Sequence, residues 1–366
     1  MWRSAPLTGA SAAVAIVPVT DRGKILVLGA GGVLGRLIVA LLREDHPGLE
    51  VIAASRHDPG DLPVAHRPLD LAEPDTFPEA LTGIDVLIHA AGPFHHDPAP
   101  LVRACLARGV HYVDIAEDAH FIARVKAAAR GWRGARSAVM PGCSTVPGLV
   151  AVLSQVFGRL SALSSVAVFL NLGSRNPVSA GLLSGLLAPL GRPLQGGGRC
   201  FRRLVRRRHR DAVTRCYGAY PIPFPNGLPL GGRAVPVCFF TGFDRCYLNA
   251  GLKCASFVLP ALGEGPPARL VRLLLPVARL CRRFGGEEGH LVVEARGSGG
   301  ELLAEVEVIA RKEGLRLPAA PAVWAAARLV RSGAGGVAGL LPLQSLVDAR
   351  EAVQWIRDHG YEVHDR

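Results

Sequence analysis

The stretch that most constrains this chain runs from Ile25 to Gly35, ILVLGAGGVLG, where four apolar residues lead into four glycines within seven positions. An unbroken apolar run of this kind reads as a strand buried on both faces. The apolar residues Leu34, Leu37, Ile38, Leu41 and Leu42 then recur at helical spacing from about Val33. Glycines between a buried strand and such a helix mean that something must come close to the backbone. Gly29 permits the tight turn, Gly31 and Gly32 let phosphate groups reach backbone N–H donors, and Gly35 lets the helix lie against the strand. With Ala30, Val33 and Leu34, they form a candidate cradle for a pyrophosphate at the positive end of the helix dipole.

The alternation continues. LEVIAA, VAHRPLD, IDVLIHA, VHYVDIA and ARSAVM read as further strands, with helices between them through Leu101–Leu106 and Phe121–Ala129. Six such units predict an α/β fold with a doubly wound parallel (Rossmann) sheet over 22–147. After Pro147 the rhythm changes. SSVAVFLNL, DAVTRCYGAY, RAVPVCFF, CYLNAGL, HLVVEARG and ELLAEVEVIARK read as strands of a second, α+β domain over 148–320, mostly antiparallel and expected to carry substrate and subunit contacts. Two Arg-bearing helical segments are expected near 178–210 and 266–284, and helices over 321–366 are expected to pack back on the first domain. A length of 366 residues suits this two-domain division.

The formal charge of +12 favours an anionic partner. RCFRRLVRRRHR and ARLVRLLLPVARLCRRF lack the interleaved aromatics of a nucleic-acid surface, so no nucleic acid is expected. They are compatible with a solvated face or with anionic lipid headgroups. The eight Cys have no metal-ligand spacing, which argues against a bound metal and for reduced thiols in a cytoplasmic protein, to which the Arg-rich segments add a peripheral contact with anionic membrane as an expectation. AAVAIVPV, Ala12–Val19, reads as an untidy leader rather than a signal peptide. The uncharged stretch from Ser137 to Gly158 is broken by Pro141 and Pro147 and reads as strand, loop and helix. Assembly as a homodimer is a further expectation.

The second strand ends in Ser55 and Arg56, where an NAD site usually places an acid. An Arg there suits the 2′-phosphate of NADP, so NADP is expected over NAD, the competing reading being a solvated Arg56 with Asp58 as the acid. Asp70 ends the third strand within reach of an adenine amine. No Tyr is followed by Lys four residues later, which removes the proton-transfer pair of short-chain dehydrogenases.

The stretch AAGPFHHDPAPLVRACLARGVHYVDIAED resembles the saccharopine dehydrogenase-like oxidoreductases. Their G-P-F after the fourth strand is matched by Gly92, Pro93 and Phe94, and their A-C-x-x-x-G-V-H-Y-x-D by Ala104, Cys105, Gly109, Val110, His111, Tyr112 and Asp114. MPGCSTVPGL resembles the family loop after the sixth strand, with Pro147 and Gly148 in place. The resemblance covers about 24–150. It implies NAD(P)-dependent redox chemistry on a small substrate held between two domains, with Ala91, Gly92 and Pro93 beside the cofactor. Thr145 and Val146 stand where the saccharopine-specific loop carries an acid, which turns the expectation toward a fairly apolar substrate.

Hydride transfer needs an oriented nicotinamide and a proton donor. The groups at strand ends on the ligand side are Tyr112, Asp114, Cys143, Ser144 and Thr145. Of these Asp114, Cys143 and Tyr112 are the catalytic candidates, against the plainer readings of a helix cap, a structural thiol and a core ring. His95 and His96 with Asp97 read as a solvated loop. The expectation is an NADP-dependent oxidoreductase reducing a C=C or C=N bond. The competing one is a non-catalytic NADP-binding protein that docks through its Arg-rich helices.

Overall fold

In the computed structural model, residues 22–366 are described apart from 133, 135, 264, 334 and 335. The leader reading at Ala12–Val19 lies outside them. Ile25 to Leu28 are almost fully buried, and the strand they form, β1 (Lys24–Leu28), lies within a seven-stranded sheet. Its companions are β2 (Glu50–Ser55), β3 (Ala65–Pro68), β4 (Val86–His89), β5 (His111–Asp114) and β6 (Ala138–Met140). The order β6-β5-β4-β1-β2-β3, with the short strand Gly339–Leu340 added beyond β6 as the seventh, is parallel throughout. The chain therefore winds outward from β1 in one direction, returns to β4 and winds out in the other. The crevice beyond the β1 and β4 ends is where such a sheet takes a ligand.

Helices α1 (Val33–Asp45), α2 (Phe77–Ala80), α3 (Ala99–Arg108) and α4 (Ala119–Arg130) cover the sheet. In α1 the buried residues Ile38, Val39, Leu41 and Leu42 repeat the spacing read from sequence. Asp118 starts α4 by accepting the Phe121 N–H at 2.7 Å. After β6 a helical stretch over 145–159, with α5 (Ala151–Leu153) at its middle, leads to the second domain.

There β7 (Ser165–Leu172), α6 (Ala180–Leu187), β8 (Leu204–Arg208) and β9 (Thr214–Tyr220) are followed by a small ribbon of β10 (Leu228–Leu230) and β11 (Arg233–Val235). Next come β12 (Val237–Phe243), α7 (Cys246–Val258), α8 (Ala268–Cys281), β13 (Gly289–Arg296) and β14 (Leu302–Ala310). The closing elements are α9 (Arg316–Ser332), β15 (Gly339–Leu340), α10 (Ala349–Asp358) and β16 (Glu362–Asp365). The second sheet runs β16-β14-β13-β7-β12-β9-β8 and is antiparallel except where β12 pairs with β7. Alternate residues such as Val168, Val293 and Val308 face a core shared with α9 and β1. No helix of the described residues is long and apolar enough to cross a membrane.

Two expectations are corrected. CYLNAGL is not a strand but the first half of α7. Leu248, Leu252, Ala255 and Leu259 continue its apolar pattern at helical spacing. Asn249 ties it down, its Oδ1 accepting the Phe243 N–H at 2.8 Å and its Nδ2 donating to the Phe243 and Cys216 carbonyls. The run at Arg199–Arg210 is not helical but contains β8; along the strand and the two residues after it Arg207 and His209 turn inward while Arg206, Arg208 and Arg210 are exposed. A period of two was hidden because Arg stands on both faces.

Candidate functional site

The glycine loop divides into two kinds of glycine. Gly29 has φ +85°, and a side chain there would bring Cβ within 2.6 Å of the Ala91 backbone nitrogen. A Cβ on Gly35 would overlap the Gly29 carbonyl oxygen. These two are required by the protein itself. Gly31 and Gly32 are exposed, and a Cβ on Gly31 would meet nothing nearer than Pro59 at 3.6 Å. Helix α1 begins at Gly32 with no side-chain cap, so the N–H groups of Val33 and Leu34 have no acceptor among the described residues. Buried Ala30 and half-buried Val33 and Leu34 complete the loop. Open space over bare glycine and unsatisfied first-turn donors fit a dinucleotide pyrophosphate.

Arg36 braces this loop. Its guanidinium bonds both Asp61 oxygens at 2.8 Å, and its Nε donates to the Gly31 carbonyl at 3.1 Å. At the end of β2 the Ser55 hydroxyl donates to the His57 carbonyl at 2.6 Å. Arg56 is exposed, and its guanidinium has no partner among the described residues. Asp58, the competing acid, accepts the Gly60 N–H at 2.8 Å in a turn. Asp70 does the same for Ala72 at 3.0 Å.

Tyr112, Asp114 and Cys143 lie together but beneath the crevice, all essentially without solvent exposure. The Tyr112 hydroxyl is 3.0 Å from His89 Nδ1, and burial drops the His89 pKa to about 3, so that ring is neutral. Asp114 accepts the Gly142 N–H at 2.9 Å and the Ala116 N–H at 3.0 Å, while its carbonyl accepts from Cys143 N–H at 2.7 Å. It thus sews the loops after β5 and β6 together. Burial raises its pKa to about 6 against the pull of those N–H donors. Burial also pushes the Cys143 thiol well up, and the sulfur points to the Met140 carbonyl at 3.5 Å.

The acid that does reach the crevice is Glu117. Its Oε1 accepts from the Ser144 hydroxyl at 3.1 Å, the Thr145 N–H at 3.0 Å and the Val146 N–H at 3.3 Å. The residue is solvent-accessible yet lies deep among protein atoms, and that enclosure raises its pKa while the three donors lower it. Sequence reading missed it, although it supplies an acid at the Thr145–Val146 position where the chain itself has none. Tyr220 of β9 comes close enough that the Glu117 and Asp118 charges add to the effect of burial in raising its phenol pKa. Its hydroxyl donates to the Gly185 and Leu186 carbonyls at the end of α6. At the other end of α6, Gly181 lies against the Gly92 backbone. Gly92 and Pro93 are exposed and Ala91 half-buried, with Phe94 packing beneath them.

On the far side of Thr145 a cavity of about 40 Å³ is lined by Asn171, Asn176, His290 and Leu317. Asn171 is fully buried there and neither polar atom of its amide has a partner among the described residues. His95 is exposed, but His96 is not a solvated loop residue, since its ring packs 5.0 Å from His89 and 5.3 Å from Phe121. His209, His290 and Glu307 also come together, with ligand-type atoms within 4.8 Å of one another. Glu307 Oε1 lies 3.0 Å and 3.1 Å from the two Nδ1 atoms, His209 Nε2 is 2.6 Å from the Tyr217 hydroxyl, and His290 Nε2 is 2.8 Å from Glu288. This cluster is part of the hydrogen-bonded interior of the second sheet.

Residues 25–137 match a family model described as the saccharopine dehydrogenase NADP binding domain. Among solved structures, saccharopine dehydrogenase (L-Glu forming) from Saccharomyces cerevisiae superposes with a TM-score of 0.57 at 13% identity, covering 94% of this chain and 99% of that one. DAP dehydrogenase from C. glutamicum superposes with a TM-score of 0.51 at 14% identity, covering 90% and 94%. At such identities the likeness is one of fold. No curated protein sequence matches significantly.

Proposed function

We propose, from the premise that residues 25–137 form an NADP-binding domain of the saccharopine dehydrogenase type, that the chain is an NADP-dependent oxidoreductase. It reduces a C=C or C=N bond of a fairly apolar small molecule held between the two sheets. The single observation that carries this reading is Glu117, an accessible, enclosed carboxylate with raised pKa beside the loop that opens on the cofactor crevice. NADPH, when bound, supplies the hydride. The chain's own residues then have separable tasks. Gly31, Gly32 and the first N–H groups of α1 hold the pyrophosphate, and Arg56 holds the 2′-phosphate. Ala91, Gly92 and Pro93 border the nicotinamide, and Phe94 and Tyr220, both half-buried against the core, give the crevice apolar walls. Glu117 holds the proton on Oε2 while Oε1 remains anchored.

Two substitutions test this. Glu117→Gln should lower NADPH turnover about 10²-fold or more while leaving NADPH affinity unchanged; wild-type turnover in the variant removes Glu117 from the chemistry. Arg56→Asp should weaken NADPH binding about ten- to hundred-fold, the worth of a charge-assisted bond, while sparing NADH. Equal affinity of the wild type for both cofactors would take Arg56 out of the site.

A further inference from the structure

Helix α8 is apolar on two sides. Val271, Leu274, Leu275 and Ala278 pack inward against α6 and α7. On its other side Leu273, Val277, Leu280 and Phe284 point outward with exposures of 71%, 55%, 52% and 66%. Their spacing of four, three and four residues makes them one stripe along the helix and the turn after it. Exposed Arg269, Arg272, Arg279 and Arg283 line one flank of that stripe, and none has a partner among the described residues. From Cys246 to Phe284 the sequence holds Lys253 and five Arg against a single acid, Glu264. Just upstream Phe257 and Val258 are also exposed, with the Arg202 guanidinium 4.0 Å over the Phe257 ring.

We propose that this face docks on an anionic lipid surface, with the stripe entering the acyl boundary and the Arg flank among headgroup phosphates and carboxylates. A second copy of the chain fits poorly, since a two-fold contact would set the two Arg rows against each other with no acid to separate them. An apolar stripe bordered by cations matches a surface that is apolar within and negative at its edge.

The test is flotation of the full chain with vesicles of phosphatidylcholine alone and of phosphatidylcholine with phosphatidylserine. Binding is expected only to the mixed vesicles and should fall as salt rises, because exposed charges are screened beyond about 8–10 Å. Arg272→Gln/Arg279→Gln/Arg283→Gln should lower binding about a hundred-fold. Leu273→Ser/Val277→Ser/Phe284→Ser should also abolish it, and since all three sites are exposed the thermal midpoint and NADPH affinity serve as folding controls. Equal binding to neutral vesicles, or none to either, overturns the proposal. So does a dimer in sedimentation that the triple Ser variant dissociates, which would make the stripe a contact between copies.

Discussion

The two sheets bury their inner surfaces in different ways. In the first, β1 and the body of β4 present apolar side chains to both faces, and backbone geometry at Gly29 and Gly35 decides how closely its ligand crevice is built. In the second, one face is apolar and the other carries charge. Arg207 donates to Glu294 at 2.8 Å and to Glu305 at 2.5 Å, with both acids almost fully buried. Arg296 and Arg366 reach the same two acids. Edge strand β8 is thereby drawn over β13 and β14. One sheet is specified by local sequence and the absence of side chains, the other by pairs of side chains nearly a hundred residues apart.

The largest test of this contrast is Arg207→Met. If the ion pairs hold the second sheet closed, removing their shared cation leaves buried acids short of a partner and should cost about 3–5 kcal/mol. Urea unfolding measures it; a loss below about 1 kcal/mol would mean that Arg296 and Arg366 suffice and that the sheet is held by its apolar face. Next comes Gly35→Ala in the first sheet. The helix propensity gain of up to about 1 kcal/mol is outweighed by the overlap with the Gly29 carbonyl, and a net loss of about 3 kcal/mol is expected together with weaker NADPH binding. A stable variant with full cofactor affinity would show that the loop relaxes easily.

The smallest test concerns Asp114, whose carboxyl is buried under the first sheet's crevice. Asp114 has a folded-state pKa of about 6 against an ordinary 3.8, so it binds its proton more tightly when folded. The stability it contributes is fully present below about pH 4 and is lost as pH rises through about 6. Between those limits the wild type should lose about 2–3 kcal/mol more than Asp114→Asn. Parallel profiles for the two proteins would place the Asp114 charge in a better-solvated setting.

The first domain was legible because its signals are short-range. A buried strand, four glycines and a helical repeat sit within some twenty residues, and the six strands follow at regular intervals. The second domain hid its signals. At Leu204–Arg208 Arg side chains occupy both faces, so hydropathy carries no period, and what separates them is whether an acid such as Glu294 waits across the sheet. CYLNAGL is too short an apolar run to separate strand from helix. Glu117 was invisible for another reason. Its partners Ser144, Thr145 and Val146 lie 27 to 29 residues onward, and only the parallel adjacency of β5 and β6 brings the two loops together. Tyr112, Asp114 and Cys143 drew attention because they stand at or near the ends of β5 and β6, yet all three are buried there.

The last fifty residues belong to both sheets. Ala319, Ala322, Val323 and Ala326 of α9 lie in the core with Ile25 and Val27, β15 pairs with β6, and β16 pairs with β14. A ribosome therefore releases the nucleotide-binding half long before the segment that covers its inner face. Until α9 emerges, that apolar surface has no native cover, and the nascent chain is open to misassembly over most of its synthesis. Completion of the first domain's core thus waits on α9, some three hundred residues after the strand it covers.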